Sequence, residues 1–314
     1  MRAVEVTRFG GPEVLAVREL PDPVADAGQA VIDVAAADVL FVDTSLRTGW
    51  GGEWFSLTPP YVAGNGVAGV VRSVGAGVDP SWVGRRVLAQ TGSNGGMSPQ
   101  GGYASQAAVA ESELVAVPDR LAFPEALALL HDGPTVISIL DAAELTAGQR
   151  VLITAAGGGL GTLLVPLAKA AGAEVIGAAR GKRKLDFVRE WGADQVVDYS
   201  EPDWTSGIDP VDVVLDGAGG ELGATALALL RPGGRLLSYG SSAGDFVTGP
   251  QVVGILELGE GLDRRAALEE MLSRAVAGEI APLVGQTFPL EHAADAHVAI
   301  AARETVGKTL LLVS

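Results

Sequence analysis

The sequence predicts an α/β protein with a β-rich N-terminal domain and a second domain built on a doubly wound parallel sheet. Three observations predict it. The chain has 314 residues, about twice the length of a typical domain. Up to residue 120, short β-branched stretches alternate with loops rich in Gly and Pro. Beyond residue 120, strand-like and helix-like segments alternate, and the first of those strands runs directly into a glycine-rich turn.

In the first region, strands are expected over 30–36 and 67–74. Loops are expected at Gly49-Trp50-Gly51-Gly52 and over 92–102. One helix is expected over 123–140, starting near Pro124-Glu125. The alternation then reads strand 150–154, helix 160–171, strand 174–178, helix 182–191, strands 195–198 and 212–216, helix 222–230 and strand 235–240. A helix over 264–277 follows, then a surface helix over 290–300. The apolar tail 307–313 reads as a strand that packs back on the N-terminal domain. The domain boundaries fall at 1–120 with 280–314, and at 121–279.

Composition narrows the function classes. Glycine is high, 43 residues where about 7 % usage would give roughly 22. The net charge is −16, which repels nucleic-acid phosphates and anionic lipid, so neither is an expected partner. No cysteine is present, which removes disulfides, thiolate metal sites and thiol catalysis. The uncharged run 151–168 is long enough to span a membrane, but its internal glycines and Pro166 read as strand, turn and helix. No apolar leader core follows Met1, so the expectation is a soluble, cytoplasmic protein.

Val151-Leu152-Ile153-Thr154 has the pattern of a buried strand. Gly157-Gly158-Gly159-Leu160-Gly161 follows at once, and Leu163, Leu164, Leu167 and Ala168 then form an apolar helix face. Small residues let the backbone approach a pyrophosphate, which then meets the positive end of the helix. A glycine-rich turn alone can be a tight connection without ligand; the order strand, glycines, helix favours a dinucleotide.

An NAD site places an acid near the end of the second strand to hold the ribose. Here that strand ends Val175-Ile176-Gly177-Ala178-Ala179, with no carboxylate before Asp186. Arg180-Gly181-Lys182-Arg183-Lys184 follows instead, four cations where the chain average of 22 in 314 gives less than one. Cations at a helix start oppose the helix dipole, and a ribose 2′-phosphate would make the arrangement favourable. The competing reading is a solvated cationic face. The cofactor expected is therefore NADPH.

Motifs along nearly the whole chain carry a resemblance. They are Met1-Arg2-Ala3-Val4, Phe9-Gly10-Gly11-Pro12-Glu13-Val14-Leu15, Phe41-Val42-Asp43-Thr44, Pro60-Tyr61-Val62-Ala63-Gly64, Gly69 to Gly75, Gly101-Gly102-Tyr103-Ala104 and the turn ending at Gly161. The chain resembles the medium-chain dehydrogenase/reductase superfamily, in particular its zinc-free quinone oxidoreductase branch. The resemblance implies a GroES-like catalytic domain completed by the C-terminal strand and a Rossmann cofactor domain, with the active site in the cleft between them. It implies hydride transfer from NADPH to a quinone or an α,β-unsaturated carbonyl compound, and a homodimer.

Carried over by position, Gly158, Gly159 and Leu160 would meet the pyrophosphate. Lys184, Tyr199 and Arg303 would hold the 2′-phosphate and adenosine end, with Arg180 added from the basic cluster. Phe41, Thr135, Gly217, Gly240 and Ser241 would line the rest of the cofactor site. Asp43, Thr44, Tyr61 and Asn65 are the catalytic candidates, with Ser45 as a further donor; for the donors the competing reading is ordinary loop hydrogen bonding, and Asp43 is read as ordering the active-site loop. No metal is expected: zinc-dependent relatives carry Gly-His-Glu where this chain has Gly64-Asn65-Gly66. Leu40 replaces an asparagine common in the branch, and 249–262 is shorter than usual. Of the three histidines, only His131 is read as an active-site neighbour; His292 and His297 are read as surface residues without metal. Trp50, Trp54 and Phe55 either line an apolar acceptor pocket or simply pack their loop. Two other readings stay open, an enoyl-thioester or aldehyde reductase and a non-catalytic NADPH-binding protein. A short-chain dehydrogenase would need Tyr-x-x-x-Lys, and no tyrosine has a lysine four residues on.

Overall fold

The structure, a computed structural model, describes residues 1–52, 55–92 and 97–314. The chain divides into two compact units, Met1–Leu130 with Val284–Ser314, and His131–Leu283. The boundaries read from the sequence were 120/121 and 279/280. The intervening residues 123–127 form a short helix that packs on the sheet of the first unit.

The first unit begins with β1 (Arg2–Val6), β2 (Leu15–Glu19) and β3 (Gln29–Val39), then α1 (Phe41–Leu46). It continues with β4 (Tyr61–Val62), β5 (Gly66–Val74), β6 (Arg86–Gln90), β7 (Gln106–Ala110), β8 (Val115–Ala116) and α2 (Phe123–Leu127). The second unit holds α3 (Asp132–Ala143), β9 (Arg150–Ile153), α4 (Gly159–Ala170), β10 (Glu174–Ala179), α5 (Lys182–Glu190) and β11 (Gln195–Asp198). It ends with β12 (Val211–Asp216), α6 (Gly220–Leu227), β13 (Leu230–Ser238), β14 (Val252–Gly254), α7 (Ile255–Leu258) and α8 (Arg264–Val276). The chain then returns to the first unit through β15 (Val284–Pro289), α9 (Ala293–Ala301) and β16 (Lys308–Leu312).

In the first unit, β16 pairs antiparallel with β3, so the tail does complete the N-terminal sheet. Among the described residues the larger sheet runs β15-β16-β3-β5-β6-β8, with β7 also on β3, and a smaller one runs β2-β1-β4. The core combines Val4, Ile32, Val67, Val87, Leu114 and Leu311 with one face of α9. In the second unit the strands are parallel, in the order β11-β10-β9-β12-β13-β14. Numbered within the unit this is 3-2-1-4-5-6, the doubly wound order whose switch point lies between β9 and β12. Leu152, Ile176, Val214 and Leu236 are fully buried at its centre, as expected of strands covered on both faces.

Three expectations need correction. The single helix over 123–140 is two helices, α2 and α3. Pro134 has no amide proton, and its ring would clash with a carbonyl four residues back; the helix restarts at Asp132 so that Pro134 falls in a first turn. The strand expected over 235–240 begins at Leu230; Pro232 and Gly233 (φ 83°) sit in it because the pairing with β12 is irregular between Val211 and Val213. The third concerns α9, expected at the surface. Ala293, Ala296, His297 and Ile300 are buried, spaced as one helical stripe facing the core, and His297 is 0 % exposed.

Candidate active site

The glycine-rich turn lies in the second unit, between the end of β9 and the start of α4. Ala155 takes a left-handed conformation (φ 51°) that redirects the chain after the strand. Gly158 is the N-cap of α4, and no side chain caps it. The amides of Gly159, Leu160 and Gly161 therefore begin a helix without internal acceptors. A Cβ on Gly161 would lie 2.4 Å from the Ala156 carbonyl oxygen, so glycine there sets how closely helix and strand approach. A Cβ on Gly158 would meet only the Ala155 oxygen, at 3.3 Å. Gly158, Gly159 and Leu160 are half-buried and remain accessible to a ligand. The donor set and the missing Cβ atoms fit a diphosphate.

The basic cluster follows β10. Gly181 (φ 80°) is the N-cap of α5, again with no side-chain cap, and Lys182, Arg183 and Lys184 form its first turn. The stem of Lys184 lies across the turn: a Cβ on Gly157 would be 3.1 Å from the Lys184 Cβ. Arg180, Lys182 and Arg183 are exposed. Asp198, at the end of β11, was not singled out in the sequence, yet it ties this corner down by accepting the Gly181 amide (2.9 Å). Burial pushes Asp198 up, but hydrogen bonds from Ser200 and Gly181 and the charge of Arg180 outweigh it and hold it below its ordinary value.

The carboxyl ends of β9, β12 and β13 are fixed by a buried cluster. Thr154 Oγ1 donates to Asp216 Oδ1 (2.6 Å) and accepts the amides of Gly217 (3.0 Å) and Ala218 (3.2 Å). Burial raises the Asp216 carboxyl above its usual range, opposed by hydrogen bonds from Thr154, Ala218 and Gly219. Gly217 lies against the Tyr239 ring, and a Cβ on Gly240 would be 2.4 Å from the Gly217 oxygen. Ser241 is half-buried just beyond, and Tyr199 packs at the edge of the same unit's core. Thr135, in the first turns of α3, gives its hydroxyl proton to the His131 oxygen (2.8 Å).

The catalytic candidates lie in the first unit. Asp43 and Tyr61 line one small pocket together with Leu46, Leu57, Gly64 and Met97. Burial, and then the Asp43 carboxylate, push the Tyr61 phenol up to about 12. Asn65 is buried and holds the chain just after β6, its Oδ1 accepting the Gly92 amide (3.0 Å). Thr44 is buried with its hydroxyl donating to the Phe41 oxygen (2.6 Å), so its proton serves α1 itself; Ser45 is half-buried beside it. Phe41 lies under Arg303, whose guanidinium carbon is 4.7 Å from the ring centroid. Arg303 has a left-handed backbone (φ 61°). Trp50 is 42 % exposed, and Phe55 packs over Gly51; Trp54 lies outside the described residues.

Three residues of this site were not assigned to it from the sequence. Tyr103 is fully buried and bonds Asp43 Oδ2 (3.1 Å) and His297 Nε2 (3.1 Å). Arg47 is buried and donates from Nε to His297 Nδ1 (3.2 Å) and from Nη1 to the Gly10 oxygen (2.7 Å). Burial, followed by the charge of Arg47, depresses His297 from 6.5 to about 3. The stripe at 293, 296, 297 and 300 was the available signal for His297, a histidine on an apolar helix face. Nearby, Asp38 is fully buried, accepts the Gly66 amide (3.1 Å) and lies 3.7 Å from Lys308 Nζ.

Two family models match the chain, the GroES-like domain of alcohol dehydrogenases over residues 26–119 and zinc-binding dehydrogenases over 191–311. A quinone oxidoreductase from Pseudomonas aeruginosa is 31 % identical, over 99 % of both chains. The chain belongs to the medium-chain dehydrogenase/reductase superfamily, in its quinone oxidoreductase-like branch. Within that family a 2-haloacrylate reductase from a Burkholderia species is 30 % identical over 99 % of this chain and 98 % of its own. The crystal structure of Escherichia coli quinone oxidoreductase complexed with NADPH superposes with a TM-score of 0.84 at 29 % identity, covering 99 % of this chain and 100 % of that one. The first unit is thus GroES-like and the second Rossmann-like. The protein is an oxidoreductase of this family.

Zinc, named by one of the matching models, does not fit these residues. The chain has no cysteine. Asn65 stands where zinc-dependent members carry histidine, and its oxygen is committed to a backbone amide. No group of three or more potential metal ligands occurs among the described residues, and no helix among them is long and apolar enough to cross a membrane.

Proposed function

We propose that this chain is a zinc-independent, NADPH-dependent reductase of quinones or other small, apolar α,β-unsaturated carbonyl compounds. One observation carries the cofactor reading: the acid-free end of β10 is followed by Arg180, Lys182, Arg183 and Lys184 at the uncapped start of α5, with Lys184 lying over the glycine-rich turn. An adenosine 2′-phosphate would neutralise charges that otherwise oppose the dipole of α5. The NADPH complex of the Escherichia coli relative supports the same choice.

NADPH, when bound, supplies the hydride and carries the redox chemistry. In this reading the chain binds and orients it: Gly158, Gly159 and Leu160 take the pyrophosphate, and Arg180, Lys184, Tyr199 and Arg303 take the adenosine end. Phe41, Thr135, Gly217, Gly240 and Ser241 complete the cofactor site. On the acceptor side, Tyr61 donates a hydrogen bond to the acceptor oxygen, and the neighbouring Asp43 keeps it a phenol. Thr44 holds α1, which carries Asp43, and Asn65 holds the chain just after β6. The protein acts in the cytoplasm as a homodimer.

The test is a comparison of NADPH with NADH by titration calorimetry. It is followed by NADPH oxidation against quinones, enones, aldehydes, an enoyl thioester and a haloacrylate such as the Burkholderia relative is named for. Expected are tighter binding of NADPH and turnover with quinone or enone that a chelator leaves unchanged. Replacing Arg180 and Lys184 together by Ser removes two charged contacts, each worth about 1.5–3 kcal/mol, and should lower the NADPH preference at least tenfold. Equal affinity for both cofactors, or loss of activity to chelator restored by zinc, overturns the reading.

A further inference from the structure

The first unit contains a buried chain of hydrogen bonds with a fixed direction. A guanidinium has no acceptor, so Arg47 Nε must donate to His297 Nδ1 (3.2 Å). His297 then keeps its single ring proton on Nε2, which faces Tyr103 Oη at 3.1 Å and donates to it. The one proton of Tyr103 is left to point at Asp43 Oδ2, 3.1 Å away. Asp43 Oδ2 also accepts the Leu40 amide (2.9 Å), and Asp43 lines the pocket that Tyr61 shares. The four residues are almost wholly shielded from water and come from three separate places in the sequence: Asp43 and Arg47 from α1 and its C-cap, Tyr103 from before β7, and His297 from α9. The geometry is also enforced sterically: Gly64 (φ 83°) lies against the Tyr103 ring, where a Cβ would be 2.1 Å from Cδ1.

We propose that Arg47, His297 and Tyr103 are positioning residues for the reductase reaction, a one-way relay that fixes the Asp43 carboxylate at the pocket wall. This rests on the reading of Asp43 and Tyr61 as the acceptor-side pair. Arg47 sets the direction, because no link in the chain can reverse while a guanidinium donates at its start. The relay acts on the reaction through Asp43: a fixed carboxylate holds the α1 entry through Leu40 and keeps Tyr61 protonated beside it. All its residues belong to the first unit, whereas the glycine-rich turn and the basic cluster belong to the second.

Tyr103→Phe removes only the hydroxyl and keeps the ring over Gly64. His297→Leu breaks the chain at its middle. His297→Gln retains an acceptor for Arg47 and a donor for Tyr103. Folding is followed by circular dichroism and melting, NADPH affinity by calorimetry, and kcat and KM with the best acceptor. The relay predicts unchanged NADPH affinity in all three variants. It predicts kcat on the order of tenfold lower in Tyr103→Phe and His297→Leu, with most of that recovered in His297→Gln. Wild-type kcat in folded Tyr103→Phe, or the same loss in His297→Gln as in His297→Leu, overturns it. Nitrogen NMR of labelled histidine reads the relay even if no acceptor turns over, an outcome that would defeat the functional reading alone. His297 should remain a neutral Nε2–H tautomer from pH 8 to 4; an Nδ1–H tautomer or titration near 6.5 would show that the relay does not exist.

Discussion

Burying a neutral histidine beside a guanidinium makes stability depend on pH. His297 is depressed from 6.5 to about 3. Between those values the unfolded chain binds a proton that the folded chain refuses. Stability is therefore full above about pH 6.5 and falls as pH drops toward 3, by about 1.4 kcal/mol per pH unit from this residue. Urea unfolding at pH 7.5 and pH 5 should show that loss, and His297→Gln should reduce the slope; an unchanged slope in the variant would assign the effect elsewhere. Gly64 makes a second prediction. Its left-handed backbone and the 2.1 Å approach to Tyr103 leave no room for a methyl group, so Gly64→Ala should lose roughly 2–5 kcal/mol in denaturant unfolding. Gly77 has a similar φ, 87°, and nothing within 4 Å; Gly77→Ala should lose only about 1–2 kcal/mol. Equal losses would mean that strain alone, without the Tyr103 contact, sets the cost. At this scale the sequence was only partly legible. Asp43 and Tyr61 stood out by motif, but the chain of bonds behind Asp43 runs through Tyr103 and then His297, 60 and 254 positions later, and only the folded sheet and α9 bring them together.

At the scale of elements, the β9–turn–α4 unit separates binding from folding within a few residues. Gly161 meets the Ala156 backbone at 2.4 Å, and backbone cannot step aside. Gly161→Ala should therefore lower the melting temperature by several degrees. Gly158 has only one neighbour, at 3.3 Å, so Gly158→Ala should fold and melt near wild type but weaken NADPH binding, because its Cβ occupies the approach to the helix amides. Calorimetry paired with melting checks both; loss of stability in Gly158→Ala without loss of affinity would remove this glycine from the site. This unit was legible because every part is local: an apolar strand, small residues and an apolar helix face succeed one another without a gap. The parallel sheet followed from the same local periodicity. The break between α2 and α3 was misread because apolar spacing continues across it, and the decisive fact is a missing amide proton on Pro134. α9 was misread because an imidazole in an apolar stripe looks polar in sequence, whereas its two nitrogens are satisfied by Arg47 and Tyr103.

For the whole molecule the open edge of the Rossmann sheet is the feature to test. β14 ends the six-strand order, three residues long, with the second side of its backbone unpaired by any described strand. Leu256, two residues beyond it, is 89 % exposed, and Phe246 before it is also exposed. An open edge flanked by apolar side chains is a surface on which a second copy can add strand to strand. Charge acts in the opposite sense: each chain carries −16, and two copies repel at long range. Screening shortens that repulsion to about 8 Å at physiological ionic strength, while apolar burial is insensitive to it. The proposed homodimer should therefore tighten as salt rises, the reverse of an assembly held by ion pairs. Sedimentation equilibrium at micromolar protein should give about twice the 31.9 kDa chain mass in 0.15 M salt, with a larger monomer fraction at 0.01 M. Leu256→Glu should shift the equilibrium to monomer at either salt concentration, through both the lost apolar contact and the added charge. A wild-type monomer under all conditions would overturn the homodimer; a dimer that survives Leu256→Glu unchanged would place the interface away from β14.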